Sequence, residues 1–160
     1  MTVQTLPDVD NYLARITEIE ALIISGSTAV KNPKNAPTDP PFWLHMAGGG
    51  TPIKGAANEF FLTYSLRILL VRKRGIGAFD DYAVEATIMG DFSTVAWYFM
   101  MVDGYRNLKT PTYTTVQAGF ALDSVQISNQ VRFEGDHTSI GPVTGSLHTL
   151  SWSHRMINRP

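Results

Sequence analysis

Apolar and polar side chains alternate along residues 59–73, the longest segment of this kind in the chain. The apolar parity consists of Phe60, Leu62, Tyr64, Leu66, Ile68 and Leu70. The opposite parity is more polar and includes Glu59, Thr63 and Arg67. Because successive side chains of a strand point to opposite faces of its sheet, the pattern predicts one long strand with a buried face.

Three shorter segments also predict strands. Residues 125–133 and 147–157 alternate near the end of the chain, the second of them through Leu150, Trp152, His154 and Met156. Residues 42–46 are apolar enough for a short strand. The glycines at 48–50 then predict a polar connection that lasts to Asn58, because glycine has no side chain to pack in a sheet.

Residues 8–25 show the spacing of an amphipathic helix. Apolar residues recur every three or four positions and form one stripe, which consists of Val9, Tyr12, Leu13, Ile16, Ile19 and Ile23. Such a stripe packs on a core while the other side of the helix meets water. Asp8 or Asp10 is placed to cap the first turn, and Ser25-Gly26 ends the pattern. We expect a helix of about four turns.

Residues 80–102 carry a second helical pattern. Asp80 or Asp81 is expected to cap its start. Gly90-Asp91 is expected to divide it into two segments, because glycine destabilises the interior of a helix. The second segment runs from Phe92 to Met100, with apolar residues again at spacings of three and four.

The order of these elements predicts the fold class. Prolines are frequent in residues 25–41 and favour an extended arm or surface loop there, since proline lacks an N–H donor. The remaining pattern predicts a single α+β domain over residues 1–160. Its sheet of about four strands is expected to be antiparallel or mixed, with the helices packed on one face.

Composition limits the possible functions. The 160 residues carry a net charge of −1 and contain no cysteine. The near-zero charge argues against bulk electrostatic binding to nucleic acid or to an anionic membrane. The lack of cysteine excludes disulfides, thiol catalysis and thiolate metal sites. With neither a signal-peptide pattern nor an apolar run long enough to span a bilayer, we expect a soluble protein made in the cytoplasm.

No motif that carries chemistry is complete. Gly75-Ile76-Gly77 lies where a dinucleotide fingerprint would lie, but Asp80 replaces the third glycine and would repel a pyrophosphate. The spacing of the histidines predicts no metal site; they are His45, His137, His148 and His154. Residues 136–139 place Asp, His, Thr and Ser side by side, in what we expect to be a polar hairpin loop. We therefore predict no catalytic residues, no cofactor and no metal, and a protein that is not an enzyme.

Aromatic clusters predict a contact surface instead. Residues 97–101 surround the second helix with apolar groups, and a helix that is apolar on both sides is buried either in a large core or against another subunit. The aromatic pair beside the proline-rich segment raises the same alternative. The predicted subunit interface consists of Phe42, Trp43, Trp97, Phe99 and Met100. In that case the proline-rich segment either straps a neighbouring subunit or remains a surface loop.

The element order resembles that of the tail terminator family of long-tailed bacteriophages, and of related neck proteins that join tail to head. The likeness lies in residues 8–24 for the first helix and 60–72 for the long strand. It continues through residues 80–102 for the helical crossover and 145–157 for the closing strand with its Leu-Ser-Trp-Ser alternation. This is a likeness of architecture, without a diagnostic motif, and residues 25–50 are longer than that architecture requires.

The resemblance implies a structural virion protein of the tail or neck, made in the host cytoplasm. Such a protein forms a hexameric ring that ends tail polymerisation and docks to the head connector. Its implied partners are further copies of itself, the tail tube protein and the head–tail connector proteins, without a membrane. DNA passes through the lumen without sequence-specific binding. Closed rings use heterologous contacts, so each subunit presents two different surfaces.

Other classes of function remain open. One is another subunit of the particle, such as a tube, baseplate or head-completion protein. Another is a small carbohydrate- or ligand-binding module in which exposed Trp43, Tyr113 and Trp152 stack on sugars. An enzyme is the least favoured class. The mass of the native oligomer separates a ring-former from a small binding module.

Overall fold

The computed structural model describes residues 2–4, 6–25, 27–30, 39–74, 78–137 and 141–159. In this part of the chain the strands are β1 (Thr2–Gln4), β2 (Thr28–Val30), β3 (Phe42–Lys54), β4 (Glu59–Lys73), β5 (Gln126–His137) and β6 (Gly141–Arg159). Helix α1 (Val9–Ile23) follows β1, and helix α2 (Ala78–Met100) follows β4. A short 3-10 turn covers Tyr105–Asn107. The predicted α+β class is confirmed.

The six strands form one sheet in the order β1-β6-β4-β3-β2, with β5 beside β6. One edge of β6 pairs with β4 over residues 143–157. Its other edge pairs with β5 over residues 141–151 and with β1 over residues 157–159. Between these two partners, the Arg155 amide donates to the Gly119 carbonyl at 2.7 Å. Pairs are antiparallel except β2–β3, which is parallel, so the sheet is mixed.

Strands β3 and β4 form a long hairpin, and the prediction of a short strand at residues 42–46 is wrong. Pairing continues through the glycines, with Gly50 opposite Tyr64, up to Lys54 opposite Phe60. The register shifts once, between Ala47 and Gly49. Glycine contributes no side-chain packing, but it keeps its backbone N–H and C=O groups. A long, regular partner strand can therefore still pair with it in the sheet.

Helix α1 confirms its prediction. The Asp8 side chain accepts a hydrogen bond from the Asn11 amide at 3.0 Å, which satisfies one of the unpaired N–H groups of the first turn. The apolar stripe faces the sheet: Tyr12, Ile16 and Ile19 are buried. The helix ends at Ile23, just before Ser25-Gly26.

Helix α2 is continuous, and the predicted interruption at Gly90-Asp91 is wrong. Gly90 is exposed and has no neighbouring atoms that require a break. Asp91 faces inward, where its carboxylate binds Arg72. The helix begins at Ala78, so Asp80 and Asp81 lie in its first turn and do not precede it as caps. Tertiary contacts on both sides of the glycine outweigh a propensity cost of about 1 kcal/mol.

Both helices pack on one face of the sheet, as predicted. The main core joins α1 and α2 to β3, β4 and β6, and its largest buried side chains include Tyr12, Trp43, Ile68, Phe99 and Leu150. Each fully buried side chain of this kind stabilises the fold by about 1.5–3 kcal/mol.

A second apolar cluster lies on the opposite face of the sheet. Its buried members are Phe42, Leu69, Val71 and Val143. On a flat sheet β3 and β5, three strand spacings apart, would be separated by about 14 Å. The rings of Phe42 on β3 and His137 on β5 are only 6.4 Å apart. The sheet therefore curls towards this face, and neither of the two described helices contributes a residue to the cluster.

Gly145 permits this curl. It lies between Val71 on β4 and Phe133 on β5. A Cβ atom at this position would lie 2.1 Å from the Leu70 carbonyl oxygen, far inside van der Waals contact. Strand β6 can therefore approach β4 this closely only because residue 145 has no side chain.

Two predicted segments fall partly outside the described residues. Of the proline-rich segment 25–41, residues 26 and 31–38 are not described, so an arm or loop stays a prediction. Within that segment, β2 pairs with the first residues of β3. Residues 75–77 and 138–140 also lie outside the described part of the chain.

Candidate functional site

The inward side of α2 anchors the helix to the sheet. Ile88, Val95 and Phe99 are at most 1% exposed. Asp91 lies on the same side, where its two oxygens accept hydrogen bonds from Nε and Nη2 of Arg72, both at 2.7 Å. Bidentate pairs of arginine and carboxylate fix direction as well as distance. This pair therefore fixes the middle of α2 to the end of β4.

The outward side of α2 carries large apolar side chains in contact with solvent. We call Tyr82, Met89, Trp97 and Met100 the outer stripe; they are 82%, 61%, 57% and 39% exposed. Their spacing places them along one side of the helix, opposite the buried residues. The stripe extends for about 27 Å at 1.5 Å per residue. Single exposed apolar residues are ordinary, but a row of them marks an interaction surface.

The outer edge of β3 is a second exposed surface. Strand β2 pairs only with residues 42–44 of β3. Beyond them, the edge of residues 45–54 that faces away from β4, which we call the open edge, pairs with no strand among the described residues. The side chains of residues 47–54 are exposed as well, including Ile53 at 54%. Unpaired N–H and C=O groups of this kind can bind a strand of another chain.

The five residues predicted for a subunit interface divide between these environments. Phe42, Trp43 and Phe99 are buried inside the subunit, at 1%, 0% and 0% exposure. Their burial favours the alternative interpretation, in which these aromatic residues belong to the core of the subunit. In this conformation they are too buried to contact a neighbouring subunit. Trp97 and Met100 lie in the outer stripe, where an interface stays a prediction.

A buried polar pair, which the sequence patterns did not reveal, joins α1 to β3. Glu20 is 0% exposed, and both of its carboxylate oxygens lie 2.8 Å from Nε2 of His45. Burial raises the pKa of Glu20, and the hydrogen bond from His45 opposes that shift. Glu20 adjoins Ile19 on the apolar stripe of α1. A charged residue on that side of the helix was the available signal.

Arg15 holds the long loop between α2 and β5 against α1. It is 5% exposed, and its Nη1 donates to the carbonyls of Leu108 and Thr115 at 2.8 and 2.6 Å. Burial lowers the pKa of this guanidinium. The guanidinium also lies 4.8 Å from the centre of the Tyr113 ring. No local pattern could reveal these contacts, because the two carbonyls are 93 and 100 residues away in the chain.

Two of the histidines are packed within the core and hydrogen-bonded. Nδ1 of His148 accepts from the Gln130 amide at 3.0 Å, and burial lowers the pKa of His148 to about 4. Nδ1 of His154 lies 2.6 Å from the Tyr12 hydroxyl. Among the described residues, no group of three or more possible ligands is arranged to hold a metal ion.

The platform that would stack on sugars is not present at the predicted positions. Trp43 and Trp152 are 0% and 3% exposed. The Trp43 Nε1 donates to Ser27 Oγ at 2.9 Å. Tyr113 is partly exposed and packs on Arg15. The expectation that these three rings are exposed together is wrong, because two of them belong to the core.

Comparisons with known proteins add no family. No protein-family model matches the chain, and no curated protein matches it. Neither of the two described α-helices has the length and apolar character needed to cross a membrane. The exposed surfaces are therefore the main basis for a functional inference.

Proposed function

We propose that the protein is a ring-forming structural subunit at the end of a phage tail tube, where it ends tail polymerisation and docks to the head connector. The element order supports this proposal through its resemblance to tail terminator and neck proteins. The observation that carries it is the presence of two unlike exposed surfaces, the outer stripe of α2 and the open edge of β3.

The positions of the two surfaces suit contacts between copies. Helix α2 packs mainly on β5 and β6, whereas the open edge belongs to β3, on the far side of β4. One surface offers apolar side chains and the other offers backbone hydrogen-bonding groups. In this proposal the outer stripe of one copy contacts the open-edge side of the next copy, and that contact is heterologous because it joins two different surfaces. Heterologous contacts of this type close into a ring when the rotation between copies permits.

In this proposal six copies form the ring, and the tail tube protein and the connector proteins bind its two ends. DNA passes through the lumen without sequence-specific contacts. The net charge of −1 is compatible with such a passage, since it supplies no strong attraction for phosphates. In this proposal the protein has a structural role in assembly and catalyses no reaction.

A tube-length assay tests this function. Purified protein is added to the polymerising tail tube protein of the same phage, and the tubes are imaged by electron microscopy. We expect a ring at the tube end and tubes that stop growing in proportion to the added protein. Trp97→Lys should abolish capping, whereas Thr87→Lys, an added charge elsewhere on exposed α2, should not. Tubes that grow equally long with and without the wild-type protein would contradict the proposal.

A further inference from the structure

The Glu20–His45 pair joins α1 to β3 at the start of the open edge. Glu20 lies in the C-terminal half of α1, and His45 is the first residue of β3 beyond its pairing with β2. We propose that this pair makes the attachment of α1 to the sheet pH-dependent. The pair holds the helix while its two residues share one proton, and the C-terminal half of α1 loosens as rising pH removes that proton. The inference does not depend on ring formation.

The charge buried with the pair depends on how many titratable protons it holds. With one proton, on either residue, the pair has no net charge; without it the pair is negative, and with a second proton it is positive. Glu20 is 0% exposed and His45 is 8% exposed, so either net charge would be cut off from water. Because an uncompensated buried charge is strongly destabilising, the folded pair favours the state with one proton.

The contacts of the carboxylate show why losing the proton is costly. Both oxygens of Glu20 lie 2.8 Å from the same atom, Nε2 of His45, and neither has another hydrogen-bond partner among the described residues. One N–H is a poor substitute for the water that surrounds an exposed carboxylate. Burial accordingly raises the pKa of Glu20, although the hydrogen bond with His45 opposes the shift. The folded pair therefore keeps its proton to higher pH than the separated side chains.

The described elements around the pair bring no compensating charge. The residues three and four positions from Glu20 on α1 are uncharged, and β2 contains no ionisable residue. On α2 the inward-facing charge is Asp91, which binds Arg72. On β4, Tyr64 lines the same cavity beside α1 as His45. Burial raises the pKa of Tyr64 above its usual value of 10.0, so this group stays neutral at moderately alkaline pH.

Loosening of α1 is expected to be local, because the first half of the helix has anchors of its own. The Tyr12 hydroxyl lies 2.6 Å from Nδ1 of His154, and Arg15 donates to two carbonyls of the following loop. Neither contact involves the pair. Loss of the proton should therefore free the second half of α1 and uncover apolar side chains at the start of the open edge. The pH then changes the surface that this part of the subunit presents.

Amide hydrogen exchange of the full chain between about pH 6.5 and pH 9 tests the proposal. Isolated glutamate and histidine side chains have pKa values of about 4.3 and 6.5, so above about pH 6.5 the separated pair holds no titratable proton. Opening of α1 in this range releases one proton, and stability is lost as the pH rises. Each pH unit should raise the opening equilibrium constant about tenfold until the closed pair itself loses its proton.

The amides of residues 20–23 report this opening. After correction for the intrinsic exchange rate, we expect their protection in the wild type to fall about tenfold per pH unit. They should also be less protected than the amides of residues 66–71 in β4, since the second half of α1 opens without the sheet. Equal protection of the two segments would show that only global unfolding releases the helix, and would overturn the proposal.

Two variants give matched controls. Glu20→Gln replaces the carboxylate with an amide of similar shape that does not titrate, so its protection should not vary with pH in this range. Glu18→Gln changes a carboxylate of the same helix that accepts from the Thr110 hydroxyl, and it should keep the wild-type pH dependence. The proposal is overturned if wild-type protection is independent of pH or if Glu20→Gln keeps the wild-type dependence. Should Glu20→Gln fail to fold, the wild-type measurement decides alone.

Discussion

Two aromatic residues of α2 lie two positions apart but in opposite environments, and this permits a matched test. Trp97 is 57% exposed in the outer stripe, whereas Phe99 is 0% exposed in the main core. We predict that Trp97→Lys preserves the fold and weakens self-association. We predict that Phe99→Ala destabilises the fold directly, and that Phe99→Asp abolishes it by placing a charge in the core.

The magnitudes follow from burial. Removing a fully buried phenylalanine ring costs about 3–5 kcal/mol, a large part of the roughly 5–15 kcal/mol that stabilises a typical domain. Trp97→Lys should change the free energy of unfolding by less than about 0.5 kcal/mol. The last turn of α2 contains no basic residue, so a lysine there also interacts favourably with the helix dipole. A central interface tryptophan contributes about 2 kcal/mol or more, so its loss should weaken association about thirtyfold.

Urea unfolding monitored by circular dichroism measures the free energy of unfolding. Light scattering after size exclusion, over a range of protein concentrations, measures the strength of self-association. Thr87→Lys on the same helix is the control for added charge. The reasoning is refuted if Trp97→Lys is destabilised as strongly as Phe99→Ala. It is equally refuted if Trp97→Lys associates as tightly as the wild type.

Three further predictions concern the sheet and its polar contacts. Gly145→Ala should cost about 3 kcal/mol in urea unfolding, because its Cβ would overlap the neighbouring strand; wild-type stability would show that the sheet does not curl as described. Asp91→Asn should cost about 1–2 kcal/mol by breaking the bidentate pair with Arg72, and a double-mutant cycle that finds no coupling between the two would contradict this. Burial lowers the pKa of His148 from 6.5 to about 4. The folded state therefore excludes a proton that the unfolded chain accepts, and stability present above pH 6.5 should fall by about 3 kcal/mol as the pH drops to 4. His148→Gln should lose about 3 kcal/mol less stability than the wild type between pH 6.5 and pH 4. If the variant loses as much stability as the wild type, His148 is not the group responsible.

Local patterns were sufficient for several elements of the fold. The alternation in residues 59–73 identified β4, although the predicted face is fully buried only from Leu66 to Leu70, is half-buried at Leu62 and Tyr64, and is exposed at Phe60. The spacing in α1 and its Asp8 cap identified that helix, since both signals lie within a few turns of each other. The order of helices and strands was enough to predict that both helices pack on the same face of the sheet.

The remaining features depend on contacts between distant parts of the chain. The glycines of β3 stay in a strand because β4 supplies a continuous partner, and α2 passes through Gly90 because Arg72 holds the adjacent Asp91. Curling of the sheet, which buries Phe42, depends on the absence of a side chain at Gly145. Aromatic composition could not separate exposed Trp97 from buried Trp43, since only the packed structure decides which side of an element meets solvent.

The mass of the native assembly tests the central claim most directly. Native mass spectrometry of the purified wild-type protein, alone and with tail tubes, should show one closed species with the mass of a hexamer of the 17.7 kDa chain. Trp97→Lys should appear as a monomer under the same conditions. A wild-type protein that stays monomeric both alone and beside tail tubes, or that forms an open ladder of ever larger species, would contradict the account.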